Sequence, residues 1–133
     1  MRYRFYLVFI VSILSFLSVS SQSNNELEGS WQGIVIEKGR SNPYHVSMVI
    51  NTLSVGDISG TIWYKDYNCG GDLKFLEIDG EGTYIFKELL TSNGNCINKG
   101  YVTGKLIDGL FSFVWKHDLF NHKAKGVLNR DYQ

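Results

Sequence analysis

Past residue 25 the chain is written in short alternating runs. From position 44, Tyr44, Val46, Met48 and Ile50 fall on one side, and His45, Ser47 and Asn51 on the other. Tyr84, Phe86, Glu88 and Leu90 alternate with Ile85, Lys87 and Leu89, and Phe111, Phe113 and Trp115 with Leu110, Ser112 and Val114. A period of two belongs to strands with one buried face. No stretch repeats apolar residues at helical spacing over three turns. The runs span 27–38, 44–53, 58–67, 72–78, 83–91, 96–107, 110–117 and 123–130. Asp79-Gly80, Asn93-Gly94 and Asp108-Gly109 between runs accept the positive φ of tight hairpin turns. Every connection is too short for a crossover. The expectation is an all-β fold, an up-and-down antiparallel barrel of about eight strands that closes on itself and leaves no sticky edge.

The first residues break this rhythm. Arg2 and Arg4 precede an apolar run from Phe5 to Val19, interrupted only by Ser12, Ser15 and Ser18, and small polar residues follow. That is the layout of a secretory signal peptide, and the run is short of the ~20 residues of a spanning helix. Residues 1–21 are therefore expected to be a cleaved leader and 22–133 a single barrel domain, secreted or periplasmic, with no membrane span after cleavage.

Composition narrows the role. The 133 residues carry 13 basic and 13 acidic side chains. Without its leader the chain has a net charge of −2, which argues against nucleic acid as a partner, since phosphate binding needs excess positive charge. Cys69 and Cys96 are the two cysteines, and an even count in an exported chain reads as one disulfide. In an up-and-down barrel both fall at one end, while both termini fall at the other. Trp31 on the first strand and Arg130 on the last then become neighbours.

Gly29-Ser30-Trp31 opening the first strand, with Arg130 closing the last, resembles the Gly-x-Trp and terminal Arg of the lipocalin-like (calycin) barrels. The resemblance implies that Arg130 packs over the Trp31 indole and plugs a closed end. Trp31-x-Gly33, Pro43-Tyr44, Gly60-x-Ile62-x-Tyr64, Cys69-Gly70-Gly71-x-Leu73, Phe86-x-Glu88, Cys96, Trp115 and Gly126-x-Leu128-x-Arg130 also resemble a small bacterial extracytoplasmic domain, found alone or outside some membrane Ser/Thr kinases. The chain is shorter than a lipocalin, lacks its C-terminal helix and shows no avidin-type biotin residues, so the resemblance carries fold and no ligand.

Catalytic signatures are missing: no nucleophile elbow, no His-Glu-x-x-His, no phosphate loop. A non-catalytic binding module without cofactor or metal is expected. His45, His117 and His122 lack preformed metal-site spacing and read as solvated. Glu88 points inward by alternation, as do Tyr44, Tyr64, Tyr84 and Trp115, and these five are the candidate ligand-binding residues. An inward carboxyl must be hydrogen-bonded or raise its pKa. Gly33, Gly60, Gly100, Gly104 and Gly126 also point inward; they make room either for a ligand or for the chain's own aromatics. Two functions compete. One is a small apolar or aromatic ligand held in the barrel interior. The other is recognition of a partner protein by the outer face, where Ile34, Ile36, Trp63 and Leu76 point. A cavity of ~300 Å³ or more favours the first, whereas a solid interior favours the second.

Overall fold

The computed structural model describes residues 25–92, 94–119 and 121–132. The expected leader, 1–21, lies outside them. Eight strands follow one another: β1 (Gly29–Glu37), β2 (Tyr44–Ile50), β3 (Ile58–Tyr64), β4 (Cys69–Ile78), β5 (Tyr84–Ser92), β6 (Tyr101–Ile107), β7 (Leu110–Lys116) and β8 (Lys123–Arg130). Each pairs antiparallel with the next, and β8 pairs back to β1 from Trp31↔Arg130 to Glu37↔Ala124, closing the barrel. The all-β up-and-down architecture is as expected. Among the described residues no helix is long and apolar enough to cross a membrane.

Several strand ends differ from the sequence expectation: β1 starts at Gly29 rather than 27 and β2 ends at Ile50 rather than 53. The third run stops at Tyr64 and turns into a short 3-10 helix, Lys65–Tyr67. The His45 N–H donates to the Asp66 carboxylate at 2.6 Å and holds this turn over β2. Asn68, at φ 48°, bends the chain back in the left-handed region that Asn tolerates. Pairing then resumes at once, so Cys69-Gly70-Gly71 belongs to β4 rather than to a turn. The sixth run starts late, because residues 94–100 form a loop and β6 begins at Tyr101.

Alternation translates directly into burial. In β2 Tyr44, Val46, Met48 and Ile50 are buried and the residues between them exposed. The interior is an aromatic column. The Trp31 and Phe111 rings are 6.3 Å apart, and Phe111 stacks on Phe113 at 6.0 Å. The inward glycines admit these rings. A Cβ on Gly126 would sit 2.3 Å from Phe113, one on Gly104 2.6 Å from Phe111, and one on Gly100 2.2 Å from Trp115. At Gly33 and Gly60 a Cβ would strike the backbone of the neighbouring strand. The room they leave is filled by the protein itself.

One end is plugged. The Arg130 guanidinium lies 4.5 Å over the Trp31 ring. It donates to the backbone carbonyls of Glu28, at 2.7 Å, and Glu26. The Trp31 indole N–H donates to the Leu27 carbonyl at 2.8 Å, which folds the fully buried Leu27 across the end. Gly29 has φ +125°, and a Cβ there would press on the Arg130 guanidinium at 3.0 Å, so glycine suits the entry to β1 on both counts. The opposite end is fastened by the Cys69–Cys96 disulfide, whose Cα atoms are 6.3 Å apart.

Candidate functional site

The disulfide end is open. The connections β1–β2, β3–β4, β5–β6 and β7–β8 all turn there, and together they surround a cleft of about 70 Å³. Tyr44 enters from the start of β2, Tyr64 from the end of β3, and Trp115 from the end of β7. Glu88 comes from the middle of β5 and forms the floor. Four of the five expected residues thus converge. The fifth, Tyr84, stands at the start of β5, which is the plugged end. Its ring meets Phe111 edge-on at 6.4 Å and does not line the cleft.

Glu88 is the polar centre. It is 1% exposed. Its carboxyl accepts from the Tyr64 hydroxyl at 2.6 Å and from the Trp115 indole N–H at 3.2 Å. Burial pushes its pKa above the ordinary carboxyl value, and the two donors only partly oppose this. Tyr64 is held well above its own ordinary value, first by burial and then by the Glu88 carboxyl. Among the described residues none of the ion pairs includes Glu88.

The rim adds residues that sequence reasoning passed over. Glu37 has a side chain only 10% exposed and pairs with Arg40 at 2.7 Å and with His122. The Tyr44 hydroxyl lies within hydrogen-bonding reach of the same carboxylate. Burial first, and Glu37 second, raise its pKa. The Arg40 guanidinium lies 4.3 Å over the Tyr67 ring and 6.0 Å from Tyr44, and Tyr44 and Tyr67 meet edge to face at 4.8 Å. His122 turns its ring toward Trp115 at 6.1 Å, so it belongs to the cleft rather than to a solvated loop. His45 is exposed beside Asp66, as its outward position implied, and His117 lies between Trp115 and the Asn98 carbonyl. The inward position of Glu37 was legible, since it shares the odd-numbered face with Trp31 and Val35. Arg40 gave no signal, because a turn residue has no face to assign.

The last wall is the loop 94–100. β5 and β6 pair only from Tyr84↔Gly104 to Lys87↔Tyr101. Beyond that the loop takes over the β5 edge. The Glu88 N–H donates to the Gly100 carbonyl and the Leu90 N–H to the Asn98 side chain. Cys96 and Ile97 face the cleft, and the disulfide ties this wall to the start of β4.

A second depression crosses the outer face of β8, β1, β2 and β3, lined by Gln32, Ile34, His45, Ser47, Trp63 and Asn129. Its volume is about 610 Å³, larger than that of the cleft, and it is slightly more open to solvent. No protein-family model matches the chain, and no curated protein or solved structure is significantly similar to it.

Proposed function

We propose that this protein is a non-catalytic binding module of the extracytoplasmic space, which holds the end of a small ligand in the aromatic cleft at its disulfide end. The carrying observation is Glu88, a buried carboxyl with no ion-pair partner among the described residues, at the floor of a cleft walled by Tyr44, Tyr64 and Trp115. A few convergent polar groups in an aromatic lining are the usual makeup of small-molecule sites. The cleft is well below the ~300 Å³ of a drug-sized pocket, so it suits a ligand group of a few heavy atoms, with the rest of the ligand outside. The middle of the barrel is filled by its own rings, and the ligand reading therefore moves from the interior to the mouth. The disulfide and the expected leader support the placement outside the cytoplasm.

Native mass spectrometry of protein purified from its own source tests this. A small molecule should travel with the protein, and Trp115→Ala should lose it. A chain that carries nothing, and whose Trp115 indole N–H resonance is unmoved by a library of small fragments, would sink the reading. The competing reading is protein recognition by the outer face. The ring-filled interior favours it, as do Trp63 at 39%, Ile34 at 43% and Ile36 at 60% exposure. Under that reading Trp63→Glu abolishes partner capture while Trp115→Ala does not.

A further inference from the structure

The mouth of the cleft already holds a cation, and it is the protein's own. Arg40 stacks on Tyr67 at 4.3 Å while pairing with Glu37 at 2.7 Å, on a side chain still 42% exposed. An aromatic face beside a carboxylate is the arrangement that attracts an organic cation.

Deeper in, the side-chain donors at the floor are engaged. The Tyr64 hydroxyl and the Trp115 indole N–H are committed to Glu88, and the Tyr44 hydroxyl faces Glu37. At the rim Arg40 pairs with Glu37 through its Nε, and His122 meets the same carboxylate. A carboxylate offers about four acceptor positions, and Glu88 receives two donors. What the floor lacks is therefore a donor and a positive charge. The π faces around it carry partial negative charge. An anionic group at the floor would meet the Glu88 carboxyl and donors already engaged with it.

From this geometry we propose that the cleft takes the ammonium or amidinium head of a small organic cation, with Glu88 as its counter-charge and the tyrosine and tryptophan rings as its walls. The inference rests on the cleft being the binding site. Burial disfavours the ionised form of Glu88, and an arriving cation gives that form the partner it lacks. The volume of about 70 Å³ admits such a head and excludes a bulky ring system.

Butylammonium, butan-1-ol and butyrate share a chain and differ in the head. Each is titrated into the protein while the Trp115 indole N–H is followed by NMR. Butylammonium is expected to bind at least tenfold more tightly than the alcohol, and butyrate more weakly than either. Glu88→Gln should collapse the ammonium-to-alcohol ratio toward one. Arg40→Ala, at an exposed rim position that threatens folding little, should tighten butylammonium several-fold by vacating the Tyr67 face. Equal or better binding of the alcohol or of butyrate overturns the inference and leaves the cleft as the site. Loss of butylammonium affinity in Arg40→Ala overturns it too. No response of Trp115 to any of the three overturns both.

Discussion

Glu88 couples the candidate site to the stability of the fold. A carboxyl whose proton is held more tightly in the folded chain stabilises it fully below the ordinary value, 4.5. That contribution is lost as the pH climbs through the raised value. Wild-type protein should therefore lose stability as the pH rises above about 4.5 toward the raised value, and Glu88→Gln should flatten that slope while retaining an acceptor for Tyr64 or Trp115. Urea midpoints across the span check this; a variant with the wild-type slope would assign it to another group. Asp66 and Asp79 shift downward, through backbone N–H donors of His45 and of Thr83. Their effect has the opposite sign, belongs to more acidic pH, and is screened at exposed positions. The membership of the site was partly legible in the sequence: Glu88, Tyr44, Tyr64 and Trp115 are inward by alternation alone. Alternation says which face a residue takes but not how deep it sits. Tyr84 shares the face of Glu88, yet it lies four residues nearer the start of β5, at the plugged end.

At the scale of elements, β7 and its neighbours show how so narrow a barrel accommodates large side chains. Phe111, Phe113 and Trp115 are buried on one strand, and each lies over a glycine of an adjoining segment: Gly104, Gly126 and Gly100. Gly126→Ala should cost about 1–3 kcal/mol in urea unfolding, the range for overpacking a filled core. Gly80→Ala, where an added Cβ meets nothing within 4 Å, should be near neutral. If both behave alike, the rings are not seated on those glycines. The eight runs were readable because each is an alternating segment between turn residues. Their ends were not. A Gly-Gly pair after Cys69 looks like a turn, and only the left-handed Asn68 with the 3-10 helix before it shows that the reversal is finished by then. Likewise Cys96 reads as the start of a strand, whereas Asn98 draws the loop onto β5 with its side-chain oxygen.

As a whole molecule, the barrel is fastened by different means at its two ends. The plugged end relies on packing and on Arg130, which bonds two carbonyls across the mouth of the chain's own entry segment. The open end has no such plug, and its incomplete β5–β6 seam is held by a covalent tie across 27 residues. Replacing both cysteines by alanine should cost ~3–4 kcal/mol on the chain-entropy account. Backbone amides of residues 94–100 and of the start of β4 should exchange faster with solvent, while those of Trp31 and Leu128 should keep their protection. Uniform loosening would mean that the disulfide supports the whole barrel and not the cleft wall.

The antiparallel meander also decides how the protein can be mounted. An even number of strands brings Gly29 and Arg130 to the same rim, and the cleft opens on the far one. A support, a bead or a fused neighbour attached at either side of the barrel sequence therefore stands behind the molecule and leaves the mouth facing outward. Copies strung in tandem on short linkers would all present their clefts to the same side, like cups on one tray. If the proposed cation site holds, immobilised protein should respond to butylammonium as the free protein does, whichever side of the barrel carries the tether.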